Sequence, residues 1–409
     1  MSNHREDIIY TGEAKSLHGL FRVRLSRSRH KIAYQQFNKE RREWQSYSWG
    51  EIAERVAAWQ ERLRQQSLNS GDRVAVSLRN GVEWIAFEQA ALALGLVVIP
   101  LYTDDRADNI AYIIEDAAVK CLLLQDEARW RRIAPSIPEN SPLQAVFLQE
   151  GEVTTESNIC PIYPVKEFDS PPPPLTHFSA SPNTLATIVY TSGTTGRPKG
   201  VMLSHANILE NVHVSLTMLS IYADDLFLSF LPISHMLERM GGYYLPMMTG
   251  SSVAFSRSIP QLAEDISTLQ PTIMIAVPRI FERIFGRIQS RLDAGSFIKK
   301  SLFQAAVSVG WSRFLYQQGR GSWRPTLLAH PLLDRLVGSK VRAQLGGKLR
   351  LTVSGGAPLS ADVARLFTGL GITLLQGYGL TETSPVISVN LPHANRPQTV
   401  GRPVAGIKT

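Results

Sequence analysis

Between residues 45 and 165 the chain alternates stretches of helical periodicity with short β-branched runs. No other feature narrows its fold as far, because strands separated by helices join into parallel sheets whose faces the helices cover. Ser48 to Arg64 repeats apolar residues at helical spacing, with Ala53, Val56, Ala57, Trp59 and Leu63 available for one side. Arg73 to Leu78 predicts a strand, Trp84 to Leu94 a helix, Leu96 to Ile99 a strand stopped by Pro100, and Ala107 to Ala118 another helix. A second series follows, with strands at Thr187 to Tyr190, Leu226 to Leu231, Ser252 to Phe255, Thr272 to Val277, Lys348 to Val353 and Thr373 to Gln376. It includes a helix after Ser204 and another over Ala361 to Leu370. Between the series stands the run Pro171 to Pro174, which cannot continue a helix and reads as a linker or surface crossing. No segment repeats at a fixed period. The expected fold class is therefore α/β: two related α/β lobes with largely parallel sheets flanked by helices, one over residues 1–175 and the other over 176–399.

Composition supports a globular chain and excludes disorder, collagen and a disulfide mini-fold: of 409 residues 44% are apolar and 19% charged. Cys121 and Cys160 lack the paired spacing of a structural zinc site and suit a reduced, cytoplasmic chain. Met1 to Tyr10 is polar, unlike an export signal. The longest apolar stretch, Ala90 to Tyr102, is interrupted by Gly95 and Pro100 and falls short of the roughly 20 residues a spanning helix needs. Of the net charge of +8, the region Arg279 to Arg350 holds 14 Lys and Arg against three acids, so the rest of the chain is net negative. Within it Arg279, Arg283, Arg287 and Arg291 recur every fourth residue beside Ile280, Ile284, Ile288 and Leu292. The stripe is either the solvated face of a packed helix or a docking face for anionic lipid or a polyphosphate, with peripheral contact at the inner face of a membrane as the sharper reading. Nucleic acid is not an expected partner, because these cations accompany apolar residues and no base-reading motif is present.

Four segments carry chemistry. Tyr190 to Gly200, YTSGTTGRPKG, combines hydroxyls, glycines and two cations after a strand. That is the inventory that holds a polyphosphate, though a plain hairpin turn has the same outline. It is not a Walker A loop, since Pro198 stands where the second glycine belongs. Gly377 to Thr383, GYGLTET, follows the apolar run Ile372 to Gln376 and has Glu382 as its one carboxylate. A nucleotide lies beyond strand ends of this kind in open α/β sheets. Ser354 to Leu359, SGGAPL, sits between a strand and a helix that Ser360 can cap. Leu231 to Arg239, LPISHMLER, places His235 just after a strand. The neighbouring run Gly241 to Met248 suits either an acyl tunnel or core packing.

These motifs resemble those of the adenylate-forming acyl-CoA synthetases, a family that also includes luciferases and peptide-synthetase adenylation domains. The SHMLER form and IAVPRIFERIF at residues 275–285 resemble the long-chain fatty acyl branch. The resemblance implies that Thr191, Ser192, Gly193, Thr194, Thr195, Gly196 and Lys199 wrap the β- and γ-phosphates of ATP. It implies that Gly355, Gly356 and Ala357 border the adenine, and that Gly377, Tyr378 and Gly379 bring an aromatic against it. Thr381 then meets the α-phosphate and Glu382 holds Mg²⁺, while His235 lies near the reacting acyl group. On this reading Thr191, Lys199, His235, Thr381 and Glu382 are the catalytic set, and the reaction joins a fatty acid to AMP and then to CoA. The resemblance runs from Tyr47 to Thr409. GRPVAG at Gly401 to Gly406 resembles the start of a third, small β subdomain, placed at 400–409, so the chain is read as the N-terminal portion of a ligase. Delivery of the acyl group to a carrier protein, or a non-catalytic nucleotide- or lipid-binding module, are the competing expectations.

Overall fold

The computed structural model describes residues 7–166, 174–192 and 196–407. Pro171, Pro172 and Pro173 of the expected linker lie outside the described residues. In chain order the strands are β1 (Ile32–Asn38), β2 (Glu43–Ser48), β3 (Arg73–Ser77), β4 (Val97–Pro100), β5 (Val119–Leu124), β6 (Ala145–Leu148), β7 (Ile162–Pro164) and β8 (Leu185–Thr191). They continue with β9 (Lys199–Ser204), β10 (Leu226–Ser229), β11 (Ser252–Phe255), β12 (Ile273–Ala276), β13 (Leu351–Ser354), β14 (Leu374–Gly379), β15 (Val386–Val389) and β16 (Arg402–Pro403).

Two compact units form. The first comprises Met1–His213 with Leu231–Phe255, and the second Val214–Phe230 with Ser256–Thr409. In the first unit a seven-stranded sheet runs β7-β6-β5-β3-β4-β8-β9. All its neighbours are parallel except β8 and β9. β11 also pairs in parallel with β1, and β1 antiparallel with β2. In the second unit β10, β12, β13 and β14 are parallel neighbours, and β15 and β16 add antiparallel at the end.

Local sequence explains the element starts. Ser48 Oγ accepts from the Glu51 amide at 3.2 Å while the Glu51 carboxylate accepts from the Ser48 amide at 2.7 Å, a capping box that opens the helix Trp49–Arg64. Helix Val82–Ala93 is apolar on nearly every side and has Trp84, Ile85 and Phe87 fully buried, as an element covered on all faces must be. β4 is buried at each of its four residues, the pattern of a strand with helices on both faces. Each Val, Ile or Leu so buried contributes roughly 1.5–3 kcal/mol.

The expected boundary near residue 175 is not where the chain divides. β8 pairs with β4, which draws residues up to 213 into the first unit, and β11 pairs with β1, which returns 231–255 to it. The phosphate-type loop and His235 therefore belong to the first unit. Residues 400–407, expected to begin a third body, include β16, an edge strand of the second unit paired with β15. The β1–β2 ribbon was not anticipated. Its residues mix polar and aromatic side chains and show no clean period of two.

Candidate functional site

In the first unit β8 ends at Thr191 and β9 returns from Lys199, with Tyr190 opposite Gly200 and Thr191 opposite Lys199. The hairpin outline and the polyphosphate inventory thus coexist in one segment. Thr191 is half-buried, and Ser192, Gly196, Arg197 and Lys199 are exposed. Gly193, Thr194 and Thr195 lie outside the described residues. Lys199 forms no ion pair among the described residues. The Arg197 guanidinium rests over the Tyr112 ring, 5.0 Å from its centroid. Tyr190 donates its hydroxyl to Asp116 at 2.5 Å; burial and this carboxylate raise its pKa, so it remains a protonated donor at the hairpin base.

His235 caps the short helix Met236–Glu238, its Nδ1 accepting from the Leu237 amide at 3.2 Å. That bond leaves the neutral ring's proton on Nε2. Packing around the ring lowers its pKa, so the imidazole is neutral at pH 7 and offers an N–H from an exposed position. Asn80 holds the preceding turn: its amide nitrogen donates to the Leu231 carbonyl at 2.6 Å and its oxygen accepts from the Ile233 amide at 3.0 Å.

Beneath these residues lies a buried charge pair. Arg239 and Glu88 are both fully buried and form a salt bridge. Arg239 also donates to Thr187 Oγ1 at 2.9 Å and stands 5.4 Å over the Trp84 ring. Thr187 Oγ1 donates in turn to the Val98 carbonyl at 2.6 Å. Burial disfavours the guanidinium charge, and the Glu88 carboxylate together with Tyr244 and Tyr243 outweighs that, so the Arg239 pKa is raised. Because Thr187 is on β8, this pair ties LPISHMLER to the strand that leads into the hairpin. The adjacent Tyr243 and Tyr244 stack at 4.3 Å between centroids and are fully buried, which makes Gly241 to Met248 core.

In the second unit the parallel register sets Ala276, Ser354 and Gln376 side by side. SGGAPL and GYGLTET therefore emerge at the carboxyl ends of adjacent strands, the side where α/β sheets receive ligands. The Gly355 amide donates to the Ala276 carbonyl at 3.1 Å; Gly355 is buried, while Gly356 and Ala357 are exposed. Gly356 has φ +80°, where a side chain is strained. Gln376, itself buried, accepts from the Leu359 amide at 3.1 Å and donates to the Pro397 carbonyl, so one side-chain amide fastens both flanking loops.

Beyond Gln376, Gly377 and Gly379 are partly buried and the Tyr378 ring is 47% exposed, open to stacking. A Cβ on Gly379 would stand 2.0 Å from the Pro385 carbonyl oxygen, so only glycine admits this approach of chain to chain. Thr383 Oγ1 accepts from the Leu380 amide at 3.1 Å and closes the turn Thr381–Thr383. The turn presents a half-buried Thr381 hydroxyl and an exposed Glu382 carboxylate, neither with a hydrogen-bond partner among the described residues. A free carboxylate of this kind fits Mg²⁺, which takes one or two carboxylates and completes its shell with phosphate oxygens and waters.

Glu88, Thr187, Asn80, Asp116 and Gln376 escaped the motif reading. Glu88 had a signal, as an acid amid the apolar helix VEWIAFEQAALA; the others are common polar residues whose role depends on where their partners fold.

With this geometry in view, the comparison with known proteins is direct. The family model described as "AMP-binding enzyme" matches residues 21–409, and the chain belongs to that family, as its motifs implied. Among its relatives is the long-chain-fatty-acid–CoA ligase FadD15 of Mycobacterium bovis, 30% identical over 379 residues that cover 89% of this chain and 60% of that protein. Long chain acyl-CoA synthetase 3 of Arabidopsis thaliana is 32% identical over 388 residues, 89% of this chain and 56% of that protein. The chain thus spans less than two thirds of the length of these relatives. The crystal structure of the anthranilate CoA ligase AuaEII with anthranoyl-AMP superposes with a TM-score of 0.70 over 96% of this chain and 64% of that one, at 17% identity, a likeness of fold.

Proposed function

We propose that this chain is the ATP-handling portion of a ligase that activates a long-chain fatty acid as acyl-AMP and passes it to CoA. The observation that carries the reading is the pairing of β13 with β14, from whose adjacent ends SGGAPL and GYGLTET emerge, the latter with an exposed Tyr378 and with a Thr381 hydroxyl and Glu382 carboxylate that have no partner among the described residues. The relatives named as long-chain-fatty-acid–CoA ligases support the acyl class.

In this reading the fatty carboxylate oxygen attacks the α-phosphorus of ATP and pyrophosphate leaves. The CoA thiolate then attacks the acyl carbonyl and AMP leaves. Thr191, Ser192, Gly196 and Lys199, together with Gly193, Thr194 and Thr195, bind the β- and γ-phosphates, and Lys199 neutralises charge as it accumulates on pyrophosphate. Gly355, Gly356, Ala357, Gly377, Tyr378 and Gly379 seat the adenine. Thr381 donates to an α-phosphate oxygen, and His235, neutral with Nε2–H as donor, orients the fatty carboxylate. Mg²⁺, when bound at Glu382, supplies charge neutralisation to the phosphate oxygens. Phosphoryl chemistry of this type depends on positioning and electrostatics more than on covalent help.

The test is fatty-acid-dependent exchange of pyrophosphate into ATP by the full-length protein carrying Glu382→Ala. Turnover is expected to fall by about 10²–10³-fold, with a smaller change in ATP affinity. Turnover close to wild type would remove Glu382 from the machinery.

A further inference from the structure

We propose that Asp116 and Tyr112, one turn apart on the helix Ala107–Asp116 of the first unit, are positioning residues for the hairpin Tyr190–Gly200. They hold both of its flanks in the register that sets Thr191 opposite Lys199. On the ligase reading, on which this rests, the hairpin takes the β- and γ-phosphates of ATP, and Asp116 and Tyr112 act through it without touching the nucleotide.

Each oxygen of the Asp116 carboxylate accepts from a tyrosine, Oδ2 from the Tyr190 hydroxyl at 2.5 Å and Oδ1 from the Tyr112 hydroxyl at 3.3 Å. Tyr190 immediately precedes Thr191, and its buried ring crosses Gly200 on the returning strand. A Cβ at 200 would stand 3.1 Å from Tyr190 Cζ and 2.6 Å from the Ile188 side chain. Glycine there clears the path by which the hydroxyl reaches the helix. On the other flank the Arg197 guanidinium lies over the Tyr112 ring, 5.0 Å from its centroid. Asp108 and Glu115 line the same cavity of about 380 Å³, yet Arg197 forms no ion pair among the described residues. One helical turn thus meets the chain on both sides of the hairpin, at 190 and at 197.

Helix stability does not explain a carboxylate at 116. Asp116 stands in the last turn of its helix, where the negative end of the backbone dipole disfavours an anion. The two tyrosine hydroxyls offset that, and one of them ties the helix to a residue 74 positions away. A glycine-bearing hairpin has much conformational freedom to lose when a polyphosphate orders it, and fixing its flanks beforehand leaves less to be lost on binding. The benefit falls on the β- and γ-phosphates alone, because the residues read as seating the adenine belong to the second unit.

Titration calorimetry of the full-length protein with ATP and with AMP tests the proposal. Asp116→Ala is expected to weaken ATP binding by about tenfold or more, and Tyr190→Phe by a similar factor, since each loses a hydrogen bond to a charged group. The double variant should bind no more weakly than Asp116→Ala alone. Tyr112→Ala, which releases Arg197, should weaken ATP about two- to fivefold. AMP has no β- or γ-phosphate, so its affinity should stay at the wild-type value throughout, a selectivity that general loosening of the unit does not produce. Should Asp116→Ala fail to fold, Tyr190→Phe, which loses a single oxygen atom, carries the test. Unchanged ATP affinity in either variant, or an equal loss for AMP, overturns the proposal. Lys199→Ala separates two ways of failing. If it weakens ATP and spares AMP while Asp116→Ala does nothing, the hairpin grips phosphate and needs no help from Asp116. If it also leaves ATP affinity unchanged, or if the wild type binds no ATP, the phosphate reading of the hairpin falls and the positioning role with it.

Discussion

Arg239 and the arginines at 279, 283, 287 and 291 carry the same side chain into opposite surroundings. Arg239 is fully buried, faces Glu88 and donates to Thr187, so its charge is satisfied in one geometry alone and that geometry holds two motifs of the first unit together. The four arginines of the second unit's helix Pro278–Asp293 stand in water without an ion pair among the described residues. Water satisfies them in any rotamer, so they set the character of a surface and leave the fold indifferent to them. The first kind of charge specifies structure because leaving it unpaired costs so much; the second kind is available to a partner.

Four outcomes probe this contrast, in descending size. Glu88→Ala strands a buried guanidinium and should lower stability by about 3–5 kcal/mol in urea unfolding; an unchanged midpoint would mean that the pair does not anchor the unit. Acid comes next. Burial, joined by the neighbouring His177 and Arg22 charges, depresses the pKa of His18 to about 3, and burial depresses that of His205 to about 4. Below the ordinary value near 6.5 the unfolded chain binds protons that the folded chain refuses, so stability is complete above about pH 7 and is lost as pH falls. The slope should approach about 2.7 kcal/mol per pH unit between pH 6 and 4 for two such groups. Denaturant midpoints measured across that window should flatten in His18→Gln and His205→Gln variants that still fold; the same slope in both would assign the acid sensitivity elsewhere.

Gln376→Ala removes the bond accepted from Leu359 and the one donated to Pro397. The expected loss is about 1–3 kcal/mol, with weakened binding of a fluorescent ATP analogue to the full-length protein. Retained affinity and stability together would show that the strand ends need no clamp. At the bottom of the scale, Arg283→Gln with Arg287→Gln should change stability by no more than about 0.5 kcal/mol by thermal melting. A larger loss would show that the exposed stripe is structural after all.

Much of this was readable from local pattern. Helix Trp49–Arg64 announced itself through its apolar spacing, and β3, β4, β11 and β12 fall within about one residue of their expected positions. The four chemistry-bearing segments stand at strand ends or turns, where Lys199, His235, Gly356, Ala357, Tyr378 and Glu382 are exposed. β9 was missed because KGVMLS, with exposed Lys199, Gly200 and Met202, is an edge strand and lacks the apolar run of a central one. The unit boundary was missed because proline marks a break in helix, whereas a boundary is set by which strands pair.

Period, capping and turn chemistry act over a handful of neighbouring residues, so the α/β class and the candidate phosphate, adenine and carboxylate segments could be recognised in the unfolded string. Glu88 and Arg239 are 151 positions apart, Asn80 and Leu231 likewise 151, and Leu17 donates its amide to His205 across 188. Such partners are chosen by sheet order and burial, which no local preference encodes. The folded chain alone reveals which polar groups are sealed from water and must find each other, and which are left facing it.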